Sequence, residues 1–159
     1  MNKGVNVMRR IAVSTVVLAL LLSGRPACAG DTKSDLKAFG LVGTFSHDCS
    51  KSIEQGGGTV TYVVPSSGEP TVTVRNSLGA FPYIIKDAKI AADGTIVLKE
   101  VSEDGKTDTD LVIQKIGARI RPMQLVAHVR GVDQPLVLID NGITIKDGTP
   151  APISARCGN

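Results

Sequence analysis

DGTIVLKEVSEDGKTDTDLVIQKI, residues 93–116, decides the fold. Two Asp-Gly pairs, Asp93-Gly94 and Asp104-Gly105, each precede a run rich in Thr, Val, Ile and Leu. Asp-Gly reaches positive φ readily and so reverses the chain between strands. The stretch therefore reads as successive β-hairpins, with strands over 95–101 and 107–116. Upstream, 83–91 ends at the first of these turns. Segments 59–64 and 71–75 alternate Thr with Val or Tyr, placing Val60, Tyr62, Val72 and Val74 on one face at a period of two. A shorter strand is expected over 43–48. Downstream, 120–130, 135–140 and, past the Asn141-Gly142 turn, 143–146 continue the pattern. A stretch containing Thr149, Pro150, Ala151 and Pro152 then leads to a last short segment ending at Cys157.

The expected fold class is all-β, a single antiparallel meander of about eight or nine strands. Helix is confined to 34–39, where Ser34 can cap one amphipathic turn and Gly40 stops it. The three glycines at 56–58 and the run Pro65, Ser66, Ser67, Gly68 mark loops. No segment recurs at a fixed period, which argues against a propeller or a solenoid.

The N-terminal 29 residues have a different character. Lys3, Arg9 and Arg10 precede an uncharged run over 11–24, and Ala27 and Ala29 stand at −3 and −1 of a cleavable bond. That order is a secretory signal peptide, shorter in its apolar part than the roughly 20 residues a bilayer demands. Arg25 and Pro26 disfavour lipoprotein processing at Cys28. Cleavage after Ala29 leaves 30–159 as a single domain. Of 18 basic and 15 acidic residues, four basic ones leave with the signal, so the mature balance is 14 against 15. Neither nucleic acid nor an anionic membrane is then favoured as a partner.

Removal of Cys28 leaves two cysteines, Cys49 and Cys157, in a chain bound for an oxidising compartment. One disulfide between them is expected. It ties the first strand to the last, as closure of the meander into a barrel requires, and closure removes both exposed sheet edges. A closed or nearly closed barrel is expected ahead of a sandwich.

With a short helical turn, Gly43-Thr44-Phe45 on the first strand, a run of hairpins and Arg156 near the C-terminus, the chain resembles lipocalin-like, or calycin-type, proteins. That resemblance implies an aromatic on the first strand packed beneath a basic residue from the last, with Phe45 where the family has Trp. The chain also resembles small bacterial periplasmic proteins that open on a Gly-Thr-aromatic-x-x-Asp-Cys strand and finish near a second Cys. Periplasmic or secreted localisation in a bacterium is what this implies.

No catalytic set assembles. His47, Asp48 and Cys49 are strand neighbours whose side chains alternate between faces, and Cys49 has a disulfide partner. His47 and His128 have no close companions of metal-ligand spacing, so no metal or other cofactor is expected. The run from Glu100 to Asp110, with Glu103, Asp104, Asp108 and Asp110, lacks the spacing and glycine placement of a calcium loop and reads as a solvated hairpin tip. The chain is thus expected not to be an enzyme. A barrel of eight strands is wide enough to hold one small ligand. The leading expectation is a carrier of a small, partly apolar molecule, its candidate lining being Phe45, Val60, Tyr62, Val72, Val74, Ile96, Leu98, Leu136 and Leu138. With five aromatics and no Trp after cleavage, a ligand that demands stacking is disfavoured. The alternative is a protein-interaction module, such as an inhibitor of a secreted or periplasmic enzyme. In size, compartment and single disulfide the chain is similar to bacterial metalloprotease inhibitors, although their cysteines are spaced differently.

Overall fold

The structure, a computed structural model, describes residues 31–158. The proposed signal peptide and its cleavage site lie outside the described residues. Helix α1 (Thr32–Phe39) is followed by strands β1 (Gly43–Ser46), β2 (Thr59–Val63), β3 (Thr71–Asn76), β4 (Gly79–Ile90), β5 (Ile96–Ser102), β6 (Thr107–Ile116), β7 (Arg119–Val129), β8 (Leu136–Asp140), β9 (Ile143–Thr144) and β10 (Ser154–Arg156).

All pairings are antiparallel between chain neighbours from β1 to β9, and β10 closes the ring by pairing with β1 on one side and β7 on the other. The result is a closed barrel of β1 to β7 and β10. The β8–β9 hairpin leaves the ring from the C-terminal half of β7, while the first residues of β7 pair with β10. The expected barrel is therefore present, with ten strands in the sheet and eight in the closed ring. Cys49 and Cys157 are bonded, with Cα atoms 5.4 Å apart across 108 residues of chain. In the chain-entropy model a loop of that length contributes roughly 4 to 5 kcal/mol.

Turn chemistry follows the residues. Asn141 and Gly142 both take positive φ, 49° and 73°, the signature of a two-residue type I′ hairpin. The Asp-Gly pairs act differently. Only the glycine is left-handed, and each Asp accepts bonds from the chain just beyond: Thr95 N–H and hydroxyl donate to Asp93, and Lys106 N–H donates to Asp104. Helix α1 begins two residues earlier than Ser34 predicts, with Asp31 at the N-cap position and no side-chain cap bond. It ends as expected, because Gly40 at φ 86° lets its own N–H and that of Leu41 reach back to Leu36.

Strand β4 starts at Gly79, four residues before the strand expected over 83–91. Pro82 interrupts the sequence signal but lies in the stretch of β4 that pairs with β3 alone, where its missing N–H leaves no gap in a second ladder. Pro122 in β7 sits at a register shift between β6 and β7 for the same reason.

The core fills one half of the barrel. Leu36, Phe39 and Leu41 descend from the helix onto Ile85, Ala88, Ile96 and Leu98, all 3% exposed or less. Each side chain of Leu or Ile size buried this way contributes about 1.5 to 3 kcal/mol.

Candidate functional site

Alternation along β5 points Ile96, Leu98 and Glu100 inward, with Val97 and Lys99 less buried between them. Ile96 and Leu98 belong to the buried cluster that includes Leu36 and Phe39 of α1. Glu100, further along, enters the other half of the barrel, which is not filled. A cavity of about 290 Å³ opens there. Its floor is Phe45, Tyr62, Val72, Ile113 and Ile120, shared with the packed core. Phe45 and Tyr62 meet edge to face, ring centres 6.0 Å apart, which fixes the floor's aromatic pair. Its wall carries Val60, Val74, Leu111, Leu125, Ala127, Leu138 and Ile139, and its polar lining comes from Tyr83, Glu100, Thr107, Thr109 and Ser154.

Glu100 is the one carboxylate among the described residues of that lining and is 6% exposed. The Thr109 hydroxyl, opposite it on β6, donates to its Oε2 at 3.0 Å. Its Oε1 is buried without a hydrogen-bond partner. Burial pushes the Glu100 carboxyl up from 4.5 to about 7, against the opposing pull of the Thr109 hydroxyl. Tyr62 is raised well above the ordinary tyrosine value, by burial first and by the Glu100 charge second, and Tyr83 is raised by the same causes in the same order. Among the described residues no Lys, Arg or His lines the cavity. The arrangement can hold an apolar body and offer one acceptor-rich polar point.

Of the nine side chains expected to line an interior space, Phe45, Val60, Tyr62, Val72, Val74 and Leu138 do so. Ile96 and Leu98 point inward but belong to the solid half. Leu136 lies at the start of β8, 48% exposed and outside the lining. A register shift between β7 and β8 places Leu138 out of phase, so Leu138 and its neighbour Ile139 both reach the cavity. Glu100 was missed as a site residue, having been counted only within the acidic run of the hairpin. The period of two from Ile96 through Leu98 marks it as inward.

The remaining candidates are engaged elsewhere. Cys49 is in the disulfide, and Asp48 accepts bonds from the Ser50 N–H and hydroxyl, which lower its pKa. Asp104 accepts bonds from the Ser102 hydroxyl and Lys106 N–H, and Asp110 faces His128 across β6 and β7 at 3.2 Å, both half exposed. Among the described residues no three His, Cys, Asp or Glu side chains gather as a metal site would require.

The first and last strands meet at Phe45 and Arg156. Phe45 is paired with Arg156, whose guanidinium lies 5.5 Å from the Phe45 ring centre and donates to the Gly40 carbonyl at 2.8 Å. Among the described residues no helix is long and apolar enough to cross a membrane. No family model, curated protein or solved structure matches this chain.

Proposed function

We propose that this chain is an exported, lipocalin-like carrier that binds one small, mainly apolar molecule in the open half of its barrel. The observation that carries the reading is the 290 Å³ cavity, lined chiefly by Val, Leu and Ile, in a barrel whose other half is packed solid. Export is supported by the disulfide, which persists in oxidising compartments, together with the charge, apolar run and Ala-x-Ala order of the first 29 residues. The lipocalin-like assignment is supported by Arg156 over Phe45. No catalytic step is assigned.

Calorimetric titration with octan-1-ol tests the reading. The mature protein is expected to bind one equivalent, Val74→Trp to abolish uptake by filling the space, and Thr73→Trp, on the outer face of β3, to leave it unchanged. No uptake by the unmodified protein overturns the carrier.

A second reading is favoured by the rim. Leu78, at the β3–β4 turn, is 85% exposed, and Phe81, Val132, Leu136 and Val137 stand exposed around the same end of the barrel. Such a rim fits a protein-interaction module, for example an inhibitor docking its mouth on a secreted or periplasmic enzyme. There Leu78→Asp would abolish capture of the partner, and octan-1-ol would not bind.

A further inference from the structure

We propose that the cavity is an amine site, its ligand a small lipophilic amine whose ammonium group sits on Glu100 while its hydrocarbon part fills the apolar wall. This rests on the carrier reading above and names the ligand's head group.

Glu100 is buried in the lining with Oε1 unpartnered, and Thr109 supplies the single bond to its other oxygen. A buried carboxylate left without a counter-charge is costly, and among the described residues no Lys, Arg or His in the lining supplies one. The other titratable groups that face it are Tyr62 from β2 and Tyr83 from β4, and neither can become a cation. Below about 7 the carboxyl relieves that cost by keeping its proton, and once it ionises the matching positive charge has to come with the ligand. An ammonium brings it, along with up to three donors, one for the orphaned oxygen.

Other head groups fit less well. A carboxylate or phosphate would set a second anion beside Glu100. An alcohol can donate one bond but leaves the charge uncompensated. Since Glu100 holds its proton up to about 7, amine binding strengthens as pH rises through neutrality and the carboxyl ionises. Size limits the tail: at the ~30 Å³ a water occupies in the liquid, the cavity matches roughly ten non-hydrogen atoms.

Octylamine, octan-1-ol and octanoate have the same chain length and differ in the head group. In calorimetric titration at pH 8, octylamine is expected to bind the mature protein about tenfold more tightly than octan-1-ol, as a charge-assisted bond allows. Octanoate should bind most weakly. The preference for the amine over the alcohol should shrink several-fold at pH 5.5 and vanish in Glu100→Gln. Should that variant fail to fold, the pH dependence of the unmodified protein decides alone. Equal binding of amine and alcohol at pH 8, or a preference indifferent to pH or surviving in Glu100→Gln, overturns the amine site while leaving the carrier intact. Binding of none of the three overturns both.

Discussion

The two halves of this barrel share the same strands and the same inward alternation, yet one is solid and the other hollow. Strand β5 passes through both: Ile96 and Leu98 are fully buried among helix side chains, and Glu100, the next inward residue, faces the cavity. What differs is the covering. At the filled end α1 lies against β4 and pushes Leu36 and Phe39 into the interior, with Leu41 following just beyond its end. At the open end the described residues form tight turns and loops between the strands and no such plug, and their apolar side chains, Leu78 and Val132, are exposed. A barrel interior of this width is closed by what is laid across its end, and alternation alone cannot report that.

The sharpest way to break the comparison is to truncate one side chain in each half. Leu98→Ala leaves a void among rigid neighbours and is expected to lower stability by about 3 to 4 kcal/mol. Val74→Ala enlarges a space that is already empty and should cost about 1 kcal/mol. Denaturant unfolding midpoints measure both. Losses of equal size would mean that the open half is packed as tightly as the closed one.

Glu100 sharpens the contrast through pH. Its carboxyl titrates near 4.5 in the unfolded chain and near 7 in the fold, because burial outweighs the Thr109 hydroxyl. Between those values the folded state binds more protons, so stability falls as pH rises from about 4.5 through about 7 and then levels off. The loss is on the order of 3 kcal/mol. Asp48, Asp93, Asp104 and Asp147, all lowered by hydrogen bonds from neighbouring residues, act in the opposite sense and in a more acidic range, Asp147 at about 2. Urea midpoints from pH 4.5 to 8.5 should slope for the native sequence and flatten for Glu100→Gln. Parallel curves would show a carboxylate already ionised and hydrated in the fold.

The hairpins, the cysteine bridge and the closure were legible because each rests on local chemistry: Asp-Gly and Asn-Gly turns, Thr and Val alternation, two cysteines at the ends. Six cavity residues followed from the same alternation. Leu136 is paired with the lining residue Ala127 but stands at the first position of β8, 48% exposed, and alternation does not report where along a strand the enclosed space ends. Ile96 and Leu98 were correctly inward, but whether they meet a ligand or a helix depends on where α1 docks. Glu100 was legible and overlooked, since an acidic residue near a hairpin tip reads first as solvated.

The smallest expected effect lies at the seam between the halves, where Arg156 joins the helix end to the cavity floor. Its guanidinium donates to the Gly40 carbonyl and lies over Phe45, a residue shared by core and cavity. Arg156 is solvent-exposed, so each interaction is screened. Arg156→Ala is expected to lower stability by about 1 kcal/mol. Arg156→Lys should recover little, because a single ammonium cannot cover the ring and reach the carbonyl with the same planar fork. Octan-1-ol affinity should fall by no more than about threefold, since Phe45 keeps its edge-to-face contact with Tyr62 when the guanidinium is gone. A loss of stability with unchanged uptake would mean that Arg156 serves the helix end alone. A loss of uptake as large as that of Val74→Trp would make the seam a part of the ligand site, and the two halves could then no longer be treated as separate.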